Sequence, residues 1–183
     1  MADYRRNFQV GGTYFFTVVM YKRQRIFNDD EVVDMLREAF KTVRAELPFT
    51  IDAMVVLPDH LHCIWTMPEH DDDFSTRWKK IKTYFTKTYK YRVGGAITQP
   101  TKSMQNKGEI GLWQRRFWEH TIRDELDYQR HCDYIHYNPV KHGLVDRVSK
   151  WKYSSFPRFV EKGIYPINWA GPGDDIGLTG DWD

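Results

Sequence analysis

Two histidines one residue apart, His60 and His62, form the first pair whose spacing suits chemistry. On a β-strand, residues i and i+2 point to one side, so both imidazoles would project together. Paired imidazoles at that spacing suit a divalent metal. The plainer reading is two unrelated, half-exposed histidines, and His-x-His alone does not separate the two. The neighbours favour the first. Leu61, Cys63, Trp65 and Met67 share the opposite, apolar face, which pins the strand in a sheet and aims both rings outward. Cys63 thereby points away from the histidines, which argues against a zinc centre of His60, His62 and Cys63. There is no H-x-E followed by C-x-x-C, the signature of a zinc deaminase.

A second set follows at helical spacing. Asp127, His131, Tyr134 and Asn138 stand at i, i+4, i+7 and i+11, on one polar stripe. Tyr128, Cys132 and Ile135 make an apolar stripe that would dock this helix. A polar stripe is usually only a helix's wet face. It gains meaning if it lies over the His-x-His strand. Two imidazoles and an amide oxygen then form a three-ligand, open-sided site for Mg²⁺ or Mn²⁺. Its open positions would take phosphate oxygens and polarise the phosphorus. A tyrosine one helical turn from a ligand is placed to attack in line, leaving a 5′-phosphotyrosine and a free 3′-OH. A phenol of ordinary pKa near 10 needs help from the metal's field or a base.

The elements that must position these groups are legible in outline. Thr13 to Met20 is β-branched and aromatic and predicts a strand. Asn28, Asp29 and Asp30 offer N-caps to a helix with Val32, Leu36, Ala39, Phe40, Val43 and Leu47 on its inner face, stopped by Pro48. Ile51 to Leu57 and His60 to Met67 predict an antiparallel hairpin about Pro58-Asp59. Asp71 to Asp73 cap a second helix with Trp78, Ile81, Phe85 and Tyr89 inward, ended by Gly94-Gly95. Ala96 to Gly111 reads as a polar loop, and Arg116 to Ile122 as a fourth strand. Asp124 caps a third helix that Asn138-Pro139 is expected to close near Tyr137. The order β-α-β-β-α-β-α predicts an α+β, ferredoxin-like split βαβ fold. Its antiparallel sheet carries two helices on one face, and the third, tyrosine-bearing helix belongs at the active site.

At 183 residues with 28% charged and 16% aromatic residues, the chain is expected to fold as one domain, not to be disordered. No apolar run approaches the roughly 20 residues of a membrane span. Without a signal-like start, and with Cys63 and Cys132 as the only cysteines, a cytoplasmic setting is expected. The +2 net charge hides an asymmetry. Glu161, Asp174, Asp175, Asp181 and Asp183 face one base, Lys162, in residues 161–183, so residues 1–160 hold 26 basic against 20 acidic residues, or +6. We therefore expect a domain over 1–160, with a mobile loop at 93–112, and an acidic C-terminal tail over 161–183. Arg77 to Gly108 carries nine bases and no acid. That suggests an anionic polymer as partner, the bland alternative being a solvated, lysine-rich helix.

Leu57 to Trp65 (LPDHLHCIW) and Tyr134 to Val145 (YIHYNPVKHGLV) together resemble the REP-associated tyrosine transposases, single-tyrosine members of the HUH nuclease superfamily. The resemblance runs from Tyr4 to Val18 (YRRNFQVGGTYFFTV), through Phe117 to His120 (FWEH), to Tyr165 to Gly171 (YPINWAG). It implies that His60 and His62 are the HUH pair, Tyr134 the nucleophile and Asn138 the third ligand of Mg²⁺ or Mn²⁺. It also implies single-stranded DNA substrates with a REP hairpin and a flanking tetranucleotide. Tyr137 competes as nucleophile, but only Tyr134 shares a helix face with Asn138. For the DNA, Arg5, Arg6, Arg77, Lys79, Lys80, Lys82, Lys87, Arg115, Arg116, Lys141 and His142 are the candidate phosphate contacts, with aromatics as stacking platforms. The expected state is a monomer, with a dimer as the alternative. The competing function is a non-catalytic single-stranded nucleic-acid binder on the same fold.

Overall fold

The computed structural model describes residues 7–94, 101–106 and 111–172. Arg5, Arg6 and the aspartates at 174, 175, 181 and 183 lie outside them, as do 95–100 and 107–110 of the expected loop.

A four-stranded antiparallel sheet in the order β2-β3-β1-β4 forms the middle of the molecule. Its strands are β1 (Thr13–Val19), β2 (Thr50–Leu57), β3 (His60–Thr66) and β4 (Trp118–Thr121). Helix α1 (Asp30–Glu46) joins β1 to β2, and α2 (Phe74–Arg92) joins β3 to β4, giving two interleaved split βαβ units. Asp29 caps α1 by accepting from Glu31 N, and Asp73 caps α2 by accepting from Thr76 N. Both helices lie on one sheet face. There Phe40, Phe49, Trp65 and Trp78 close the core, the last two stacked with 4.2 Å between ring centres.

The other face belongs to α4 (Glu125–Lys141), capped by Asp124. Phe15, Ala53, Val55, Leu57 and Ile64 point to it, and Cys132, Tyr134 and Ile135 pack down on them. Alternation along the strands separates these two cores, as period 2 requires. No helix among the described residues is long and apolar enough to cross a membrane.

Three local expectations are corrected. Helix α4 does not close at Asn138-Pro139. It runs through Pro139 to Lys141, and His142 N donates to Asn138 O. Proline costs the helix one N–H bond, and with a single turn left the buried ring outweighs it. The expected loop contains a helical turn, α3 (Lys102–Gln105), capped by Thr101 and anchored by buried Met104. The segment from Trp151 on, whose aromatic, proline- and glycine-containing sequence reads as an irregular arm, packs onto the body over its described residues. Helix α5 (Phe156–Glu161), Tyr165 and Trp169 complete the second core, with Tyr165 and Trp169 rings 4.5 Å apart. Gly171, at φ +114°, lies so close to Tyr137 that any Cβ there would enter the ring.

Candidate active site

Strand β3 is paired on both sides, so His60 and His62 stand on a rigid floor beneath α4. Both rings are buried and lie 4.9 Å apart, nearly perpendicular. Each is oriented through Nδ1. Asp59 Oδ1 lies 2.7 Å from Nδ1 of His60, and Thr17 Oγ1 lies 2.9 Å from Nδ1 of His62. Burial opposes charge on Asp59, but the His60 hydrogen bond and the nearby His60 and Arg23 charges outweigh it and hold the carboxyl below its ordinary range. With Asp59 ionised, the His60 Nδ1–H donates, and an arriving cation would take the lone pair that Nε2 gains when the ring gives up its second proton. Arg23, at φ 54° in a tight turn after β1, reaches Asp59 at 3.5 Å. Two successive non-glycine residues at positive φ, Lys22 and Arg23, make this turn strained.

Helix α4 brings the second set over this floor. The Tyr134 ring meets His62 edge-on, 5.1 Å between centres, and also Phe15 at 5.9 Å. The His142 ring stands 5.6 Å from that of His60. Asn138 lies on α4 one turn beyond Tyr134 and one turn before His142, bracketed by residues that touch the two histidines. Its carboxamide is fully buried, and neither polar atom makes a hydrogen bond among the described residues. An orphaned buried amide costs about 1–3 kcal/mol unless something supplies a partner, and a cation on Oδ1 would do so. The residues present therefore fit a divalent cation held by two imidazole nitrogens and one amide oxygen.

The competing tyrosine is turned elsewhere. Tyr137 packs on Trp169 at 6.5 Å, within the second core. His136 is also buried there, with Nε2 2.9 Å from Ser155 Oγ, and burial drives its pKa down to about 3, so it stays neutral.

The basic residues divide. Lys141 and His142 are exposed on the rim, with Lys141 Nζ 5.0 Å from the Tyr134 ring centre. Arg115 and Arg116 are exposed in the segment leading to β4, where Gln114 N donates to Val19 O, and Val19 pairs with His60. Lys79, Lys80, Lys82 and Lys87 sit on α2, on the sheet face away from the histidines. Lys80 pairs with Glu46, and Lys82 donates to Gln114 O. Arg77 is corrected as a DNA contact. It is 1% exposed, and its guanidinium is consumed by Asp71 and by the carbonyls of Leu47, Pro48 and Asp73. Asp59, Thr17 and Arg23 escaped the sequence reading. Asp59 showed only as a turn residue, and Thr17 acquires its role through the Thr17–His62 register, which no local pattern reveals.

The family pattern described as "Transposase IS200 like" matches residues 9–138. The REP-associated tyrosine transposase of Escherichia coli K12 is 47% identical over 176 residues, covering 96% of this chain and 95% of that one. This chain belongs to the IS200-like transposases and, within them, to the REP-associated tyrosine transposases. A relative in Haemophilus influenzae is 44% identical over 181 residues, 99% of both chains. A solved structure of a REP-associated tyrosine transposase bound to a REP hairpin superposes with a TM-score of 0.77 at 46% identity, covering 97% of this chain and 96% of that one. Membership implies a transposase that binds DNA and cleaves and rejoins it, and the family suggests a divalent metal. The ferredoxin-like expectation is met by the sheet order and by this superposition.

Proposed function

We propose that this transposase cleaves and rejoins single-stranded DNA at REP-type hairpins with a flanking tetranucleotide, using Tyr134 as nucleophile and Mg²⁺ or Mn²⁺ held by His60, His62 and Asn138. The observation that carries the reading is the Tyr134 ring against His62, with the buried, unsatisfied carboxamide of Asn138 one turn further along. The hairpin substrate is supported by the 46%-identical neighbour bound to a REP hairpin.

The Tyr134 phenolic oxygen attacks the scissile phosphorus in line, and the P–O3′ bond breaks. The phenolic proton passes to water and the departing O3′ takes one from water. One phosphodiester replaces another, so a 3′-OH can reverse the step and rejoin the strand. Lys141 sets a positive charge beside the ring where phenolate character develops. Asp59 and Thr17 fix the two imidazoles, so little reorganisation is needed. A divalent cation at this site would stabilise charge on the phosphate oxygens.

The test is incubation of the protein with labelled hairpin-bearing single strands and Mn²⁺, read as a covalent adduct on a denaturing gel. The wild type and Tyr137→Phe should form it. Tyr134→Phe should bind DNA without forming it, and EDTA should prevent it. Binding with no adduct from the wild type would favour the non-catalytic binder. An adduct surviving in Tyr134→Phe would overturn the nucleophile.

A further inference from the structure

Three ligand-type side chains converge away from His60 and His62, where the edge strand β4 meets the first half of α4. His120 pairs with Phe15 in the β1–β4 register and shares the sheet face that α4 covers. Asp127 and His131 follow at i and i+4 on α4. Nε2 of His120 lies 2.8 Å from Oδ2 of Asp127, and Nδ1 of His131 lies 3.3 Å from Oδ1 of the same carboxylate. The two imidazoles stack, 4.7 Å between centres and 18° between planes. One ligand atom from each residue lies within 4.8 Å of the other two.

We propose that His120, Asp127 and His131 form a second metal site, for a borderline transition-metal ion of the Zn²⁺ class. Four tetrahedral ligands at about 2.0–2.1 Å from zinc lie roughly 3.3 Å apart, so the two imidazole–carboxylate distances of 2.8 and 3.3 Å are already near that value, and the widest separation in the set, within 4.8 Å, closes by side-chain rotation. Two imidazoles and one carboxylate closing on a compact, four-coordinate position suit Zn²⁺ or Co²⁺. Asp127 Oδ2 also accepts from the backbone N–H of Arg123 at 3.0 Å and from its Nε at 3.2 Å. The Arg123 side chain is 74% exposed, so it can swing into water as a cation arrives, while the N–H stays to support the carboxylate. Nδ1 of His131 lies 2.8 Å from the Asp127 carbonyl and carries the neutral ring's proton there, so ligation through Nδ1 moves that proton to Nε2. A cleft of about 530 Å³, bordered by Asn7, Gln9, Thr121 and Arg123, opens on His120 and gives access for the ion and a water as fourth ligand. Once bound, the ion ties β4 to the helix that carries Tyr134 and Asn138 one and two turns further on.

The site stands independently of the strand-cleavage reading, so it is tested in the full chain carrying His60→Ala and His62→Ala. Zn²⁺ uptake is measured by equilibrium dialysis, Co²⁺ ligation by visible absorption, and the Zn²⁺-dependent shift in Tm by calorimetry. One Zn²⁺ per chain and a rise in Tm are expected. Adding His120→Ala, on the half-exposed edge strand, should weaken uptake by roughly a hundredfold or more and abolish the Tm rise, with far-UV circular dichroism unchanged. His131→Ala should do the same. Excess Mg²⁺ should not displace Zn²⁺. Absence of Zn²⁺ uptake in the double variant, or uptake undiminished by His120→Ala, would overturn the site. Displacement by Mg²⁺ would overturn the assigned ion class.

Discussion

The hydroxyl of Thr17 on β1 stands 2.9 Å from Nδ1 of His62 on β3, its direct cross-strand partner. This pairing fixes which His62 nitrogen faces α4. Thr17→Val keeps the shape and removes the hydrogen bond. Mn²⁺ affinity, followed by titration, should fall about 10- to 100-fold while the fold persists. Asp59→Asn should act in the same direction on His60. An unchanged Mn²⁺ affinity in both variants would remove the orienting role.

The charge distribution predicts a split between binding and chemistry. Lys141→Ala and His142→Ala alter the rim of the candidate site, whereas Lys79→Ala and Lys87→Ala alter the far layer. At saturating hairpin DNA, the first pair should slow cleavage and the second should not. Each lost phosphate contact should also lower the salt dependence of single-strand binding by about 0.7 in slope. Equal slowing by both pairs would contradict this layering.

Arg77 should matter for stability and not for DNA. Its guanidinium makes a two-pronged contact with Asp71, at 2.7 and 3.1 Å, and donates to three carbonyls. Arg77→Met leaves these acceptors unpaired and should cost on the order of 3 kcal/mol in urea unfolding. Hairpin affinity of the remaining folded protein should be unchanged.

The same pair predicts part of the acid response. The Arg77 hydrogen bonds outweigh partial burial and hold the Asp71 carboxyl below its ordinary range. The folded state therefore binds fewer protons than the unfolded one in that window. The contribution is fully present above the unfolded value near 4, and is lost as pH falls through the lower folded value. The urea midpoint of the wild type should thus exceed that of Asp71→Asn at pH 7, and the gap should narrow below about pH 4. A constant gap down to pH 3 would refute it.

Much of the fold was legible because local signals agreed with the global arrangement. Asp29, Asp73 and Asp124 stand where the sequence predicts caps, and each accepts from a backbone N–H in the first turn of its helix. The alternation from His60 to Met67 placed Leu61, Cys63 and Trp65 in one core and the histidines over the other face. What failed was non-local. The end of α4 depended on packing around Pro139, which overrode a local stop signal. The C-terminal aromatics looked irregular because Tyr165 and Trp169 find their partners on α4 and α5, with no periodicity of their own. Arg77 looked like its lysine neighbours in sequence, and only the nearby Asp71 and helix-end carbonyls make it a buried clasp.

The hairpin between β2 and β3 closes with Leu57 opposite His60, leaving only Pro58 and Asp59 to turn the chain. That two-residue span works as a ruler. One residue more or less, if passed into β3 rather than bulged out, would slip the strand by one register position and invert every side chain along it. Leu61 and Cys63 would then meet α4, and two imidazoles would sink among Trp65's present neighbours. A single-residue insertion or deletion at this turn should therefore be tolerated only where a bulge absorbs it, a constraint on length that no single substitution in the strand would reveal.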